Sequence, residues 1–250
     1  MPVPWFSAPR PLAAPRLRLV CFPYAGGNAA TYRSWAGLLP PGVELVAALL
    51  PGRAERLDEP PLVDLDVLLS ELVAAAGPLL GPVPLILFGH SLGATVAYEF
   101  GRALATEHGC VPAALLVSGA PAPPVRRRRT GRGLSDDDLE RILGKRTDLP
   151  AGWLTAELKP FVFPALRADL QLLDGYRWRP GPLPGVPVVA FGGDADPDVS
   201  AADLRAWQRC TTGPARTHVL AGDHFFIAHQ PFRELLAATV GEFAASPIAR

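Results

Sequence analysis

The sequence predicts an α/β fold with a mostly parallel central sheet, helices on both of its faces and a helical lid inserted between core strands. Three observations carry this. Short, nearly continuous apolar runs alternate with segments of helical periodicity, which is the pattern of strands buried on both faces. About 65 residues separate the fourth and fifth of these runs, where a βαβ crossover needs only roughly 10–12. With 49% apolar residues in 250, the chain has the material for a core that buries roughly three quarters of its unfolded surface.

The elements follow in order. The first sixteen residues hold five prolines and read as an extended arm. Leu17 to Phe22 is the first core strand, and Gly26-Gly27 breaks the chain after it. Ala29 to Leu39 sets Tyr32, Trp35 and Leu39 at helical spacing and stops at Pro40-Pro41. Glu44 to Leu50 is the second strand. Pro51-Gly52 turns the chain, and Leu65, Leu68, Leu69, Leu72 and Val73 form an apolar helical stripe. Pro84 to Phe88 is the third strand. Beyond Gly93, Val96, Ala97, Phe100 and Leu104 recur at helical steps while Glu99 and Arg102 fall on another face. Ala113 to Ser118, Val186 to Phe191 and Thr217 to Leu220 are further strands, and Pro231 to Phe243 is a final helix. The long interval holds two helical segments, Leu134 to Arg146 and Trp153 to Tyr176, the first opened by Ser135 with three aspartates that complement the helix dipole. Trp153, Phe161, Phe163 and Leu166 read as the packing face of this cap. The chain is expected to be one domain, residues 1–250, with the lid at approximately 122–182.

Lys plus Arg and Asp plus Glu each number 24, so no global field favours nucleic acid or an anionic membrane, and neither is expected as a partner. Cys21, Cys110 and Cys210 are an odd set without metal-ligand spacing, which suits free thiols in a reducing cytoplasm and no bound metal. The first ten residues lack a basic region followed by an apolar stretch, and no 18-residue apolar run is uninterrupted. Secretion and membrane spanning are therefore not expected. Arg126 to Arg129, extended by Arg132, lack interleaved aromatics and read as a solvated or lid-internal loop; mobility is expected around Arg126 to Gly133. In Pro51 to Arg56 the expected arrangement is a turn with Arg bonded to Glu55 or Glu59.

Gly89-His90-Ser91-Leu92-Gly93 matches G-x-S-x-G, in which glycines flank a serine forced into a tight strand-to-helix turn. The apolar strand before it and the helix after it are the setting that pattern requires. A serine hydroxyl needs a histidine to take its proton and a carboxylate to hold that histidine, in the chain order Ser, acid, His. His224, in the loop after the last strand, is the candidate base; His90 is expected to point away, and His229 to be a surface or packing residue. The acid lies past the fifth strand, where Asp196 is preferred over Asp194, which is placed to brace the turn, and over Asp198. Two backbone N–H groups must meet the developing oxyanion: Leu92, after the serine, and Ala25, in the glycine-rich loop after the first core strand.

Five ordered blocks resemble the type II thioesterases of polyketide and nonribosomal peptide assembly lines, which are α/β-hydrolases. They are Leu19 to Gly27, Leu50 to Arg56, Phe88 to Gly93, Pro164 to Asp169 and Gly222 to Phe226. Leu92 stands where Met is commoner in the family, and Asp223 where Gly is. The resemblance implies hydrolysis of acyl groups from the phosphopantetheine arm of an acyl or peptidyl carrier protein, without a cofactor, by a chain expected to be monomeric. It also makes Arg126 to Arg129 an alternative docking surface for an acidic carrier. An esterase, lipase or acyltransferase of the same fold, or a non-catalytic binding protein built on it, are the other readings of these residues.

Overall fold

A computed structural model describes residues 4–126, 133–144 and 152–245. Its sheet has seven strands: β1 (Phe6–Ser7), β2 (Leu17–Phe22), β3 (Val43–Ala48), β4 (Leu85–His90), β5 (Ala114–Ser118), β6 (Val188–Gly193) and β7 (Ala215–Leu220). They lie in the order β1-β3-β2-β4-β5-β6-β7. Only β1 is antiparallel, pairing Phe6 with Ala48; every other pairing is parallel. The mostly parallel α/β sheet expected from the sequence is thus borne out, with the Pro-rich arm adding a two-residue edge strand.

Alternate residues of the same strands feed two separate layers of core. Val20, Phe22, Leu87, Leu115, Val117 and Val188 pack with α2 (Leu65–Ala74) and α3 (Leu92–His108). Leu19, Cys21, Ile86, Phe88, Leu116 and Phe191 pack on the opposite face, against Tyr32 and Trp35 of the segment after β2 and Phe232 and Leu236 of α7 (Gln230–Ala245). Full burial of each such side chain stabilises by roughly 1.5–3 kcal/mol, so both faces of the sheet are committed to helices and the strand ends are left for chemistry.

The segment expected as one helix over Ala29 to Leu39 is shorter and broken. It is α1 (Ala30–Arg33) followed by a 3₁₀ turn at Ser34–Gly37, so that Tyr32 and Trp35 both reach the core. A helix not foreseen, α6 (Ala201–Arg205), is fixed by a capping box in which Ser200 and Asp203 exchange hydrogen bonds.

Between β5 and β6 lie α4 (Asp136–Gly144) and α5 (Lys159–Gly175). Leu139 and Leu143 of α4 and Phe163 and Leu166 of α5 form a small core of their own, against which Ala25 also packs. Phe161 does not join it and is 54% exposed. Residues 161 and 163 are two apart, about 200° around a helix, so they cannot share a face. Arg126 donates from Nη1 to the Thr95 hydroxyl at 3.2 Å. The rest of the arginine run, and most of the segment expected to be mobile, lie outside the described residues. Among the described residues, no helix is long and apolar enough to cross a membrane.

Candidate active site

Parallel registry brings every candidate residue to one edge of the sheet, the carboxyl ends of the strands, where α/β proteins place their ligands. Phe22 pairs with Gly89, and His90 with Ser118. The loop after β2 and the turn after β4 are therefore direct neighbours.

Ser91 sits in that second turn with φ +55° and ψ −114°, a conformation costly for any residue with a Cβ. The two glycines of the motif explain how the chain reaches it. A Cβ on Gly89 would lie 2.0 Å from the Gly93 carbonyl oxygen, because the elbow folds onto itself. A Cβ on Gly93 would lie 2.0 Å from the Phe22 carbonyl oxygen, because α3 starts directly against the end of β2. The Ser91 N–H is held by the Ser118 carbonyl at 2.8 Å. Leu92 opens α3, so its N–H has no intrahelical acceptor and points out of the helix start together with the positive end of the dipole.

The loop after β2 forms a tight turn, closed by the Gly27 N–H donating to the Tyr24 carbonyl at 2.8 Å. Gly26 occupies its third position with φ +71°, the signature of a type II turn. Ala25, at the second position, keeps its N–H without an acceptor among the described residues.

The candidate acid and the candidate base meet. The Asp196 carboxylate is fully buried, and its Oδ2 lies 2.7 Å from Nδ1 of His224, whose side chain is 23% exposed. Asp196 Oδ1 accepts the Asp198 N–H at 2.9 Å, which fixes the carboxylate's rotation. Asp194 instead accepts the Gly222 N–H at 2.9 Å, bracing the histidine loop. Gly193 makes this possible, since a Cβ there would lie 2.3 Å from the Gly222 carbonyl oxygen. Asp223 turns its carboxylate to the Phe225 N–H at 2.8 Å, so the histidine loop is closed by a side chain as well as by its backbone.

The Ser91 hydroxyl makes no hydrogen bond to His224 among the described residues; such contacts often tighten only when substrate is present. His90 departs from its expectation. Its Nδ1 does turn aside, to the Ser118 hydroxyl at 3.0 Å, but its fully buried ring lies against His224, with centroids 4.9 Å apart. His218 of β7 stacks on Phe191 of the neighbouring β6. The cysteines offer no rival nucleophile. Burial holds Cys21 well above the ordinary thiol range, pushes Cys210 up to about 12 and raises Cys110, so all three stay protonated at neutral pH.

In the turn after β3, Arg56 pairs with Glu59 at 2.6 Å as expected, but Arg53 does not bond either local glutamate. Its guanidinium reaches Asp169 of α5, a partner 116 residues away. Sequence reasoning missed this pair because it scored only neighbours within a few residues; the two halves nonetheless lie in two of the blocks already singled out, Leu50 to Arg56 and Pro164 to Asp169.

A serine elbow between a parallel strand and a helix, followed in chain order by an aspartate after β6 and a histidine after β7, defines the chain as an α/β-hydrolase. The chain belongs to the thioesterase domain family, which it matches over residues 17–241. It is 35% identical over 227 residues to the thioesterase PikA5 of Streptomyces venezuelae, covering 90% of this chain and 81% of that protein. It is also 35% identical over 243 residues to a protein of Brevibacillus parabrevis named linear gramicidin dehydrogenase LgrE, covering 94% and 91%. Among solved structures, the type II thioesterase BorB from the borrelidin biosynthetic cluster superposes with a TM-score of 0.85 at 36% identity, covering 96% of this chain and 97% of that one. The likeness to type II thioesterases read from the sequence blocks is thereby borne out.

Proposed function

We propose that this chain is a type II, editing thioesterase that hydrolyses acyl groups from the phosphopantetheine arm of an acyl or peptidyl carrier protein through a serine acyl-enzyme. The observation that carries the mechanism is the buried Asp196 carboxylate on Nδ1 of His224, set beside a strained serine elbow. Asp196 holds the imidazole in the tautomer whose Nε2 takes the Ser91 proton, and it stabilises the imidazolium that results. The Ser91 oxygen attacks the thioester carbonyl, and the N–H groups of Leu92 and Ala25 receive the oxyanion. Collapse expels the pantetheine thiol, protonated by His224, and water activated by the same histidine then releases the acid.

Substrate class rests on the family and on the pathway roles that the relatives' names carry, among them gramicidin S biosynthesis and the borrelidin cluster. The name dehydrogenase borne by one relative does not fit this chain. The turn after β2 reads Pro23-Tyr24-Ala25-Gly26-Gly27-Asn28, without the G-x-G-x-x-G that cradles a dinucleotide. We assign α4 and α5, in the segment of approximately 122–182, as a lid over the serine, since they pack together on Ala25, and we take the chain to work as a cytoplasmic monomer.

The test compares one acyl group on three carriers: a carrier protein, a pantetheine thiol and the matching oxygen ester. Binding energy from carrier contacts remote from the carbonyl positions it for attack. kcat/KM is therefore expected to fall from carrier protein to small thiol to oxygen ester. Equal values for carrier and thiol reject the protein-borne substrate, and a preference for the oxygen ester rejects the thioesterase.

A further inference from the structure

We propose that the buried Arg53–Asp169 ion pair is a positioning device through which α5 holds the oxyanion turn in its working conformation. The proposal rests on the assignment of Ala25 as an oxyanion donor. Asp169 projects from α5, and its carboxylate is 1% exposed. Its Oδ2 accepts the Gly26 N–H at 2.8 Å and Arg53 Nη1 at 2.5 Å, while Oδ1 accepts Arg53 Nη2 at 2.8 Å. Arg53 also donates from Nη1 to the Gly27 carbonyl at 3.2 Å and from Nε to the Pro51 carbonyl at 3.3 Å. One ion pair thus grips two successive residues of the Tyr24–Gly27 turn. Leu166, one helical turn before Asp169, lies 3.3 Å from the place a Gly26 Cβ would take, so α5 also packs on the turn.

The point of contact matters. Type I and type II turns differ by a flip of their central peptide, here the one joining Ala25 and Gly26. In the observed form its N–H meets the Asp169 carboxylate; after a flip, the Ala25 carbonyl oxygen would face that negative charge instead. The carboxylate therefore selects one of two otherwise similar turns. The donor N–H of Ala25 belongs to the peptide just before, and its aim is fixed only while the turn is. Stability alone is a poor reason for such a pair, because apolar residues of similar volume often stabilise a core as well or better. What apolar residues cannot do is accept the Gly26 N–H.

That difference supplies the experiment. In the double variant Arg53→Met/Asp169→Leu the volume is filled without an acceptor. The chain is expected to stay folded, with kcat down by about 10²-fold and KM within about twofold, the mark of transition-state positioning lost. Asp169→Asn leaves a single amide oxygen to be shared by Gly26 and the guanidinium, and is expected to fall between, with kcat lower by about tenfold. A folded double variant with wild-type kcat overturns the proposal. If the double variant does not fold, Asp169→Asn decides: a lowered Tm with unchanged kcat per folded molecule means a structural pair only, and overturns it. Ser91→Ala is measured alongside. If that variant still turns over, the reading of the site has failed and the positioning role falls with it; if it is inactive, the Arg53 and Asp169 variants speak for the ion pair alone.

Discussion

Ser91→Ala is expected to lower kcat by at least about 10⁴-fold, with residual rate above water owed to the oxyanion donors. The fold should be untouched. Alanine carries the same Cβ through φ +55°, and the elbow is held by the backbone bond to Ser118 and by the close approach of Gly93 to Phe22, none of which uses the hydroxyl. A sharper corollary separates chemistry from strain. Ser91→Gly removes the same oxygen and also the Cβ that makes this conformation costly. It should be equally inactive yet more stable than Ser91→Ala by on the order of 1 kcal/mol. Thermal melts of the two variants, read beside their turnover, check both statements.

Asp196→Asn is expected to approach the same loss, about 10⁴-fold in kcat, while Asp194→Asn stays within a few-fold. The reason is directional. The Asp198 N–H requires an oxygen at Oδ1, so an asparagine at 196 seats its carbonyl there and turns its NH₂ toward His224 Nδ1. A donor in that place forces the proton onto Nε2, the nitrogen that must accept from serine. Among the described residues, the Asp194 carboxylate accepts the Gly222 N–H, which an amide oxygen serves as well. Steady-state kinetics of both variants give the ranking, and the reverse order moves the acid to Asp194.

The parallel sheet was legible because its strands are buried on both faces and so read as unbroken apolar runs. Strand ends were not. β4 continues through Gly89-His90 and β6 through Gly192-Gly193, where pairing of the backbone with neighbouring strands, not side-chain hydrophobicity, extends the ladder. The two-residue β1 exists only because β3 offers an edge to it. The elbow and the candidate acid and base could be singled out because each follows a strand closely enough for its loop to be short. The choice of Asp196 over Asp194 followed from the turn length; in the structure Asp196 bonds Nδ1 of His224, and Asp194 bonds the Gly222 N–H. The Arg53–Asp169 pair was missed for the opposite reason. A buried cation takes whichever carboxylate the fold brings to it, and Asp169 arrives from the long segment between β5 and β6, which local spacing does not describe.

The most direct test of a serine acyl-transfer site is to titrate the wild-type chain with an alkyl fluorophosphonate, map the modified peptide and assay acyl-pantetheine hydrolysis on the same samples. The expected result is a single adduct, on Ser91, with hydrolysis lost in proportion to labelling. An adduct on another residue, or hydrolysis undiminished by complete labelling of Ser91, contradicts the account.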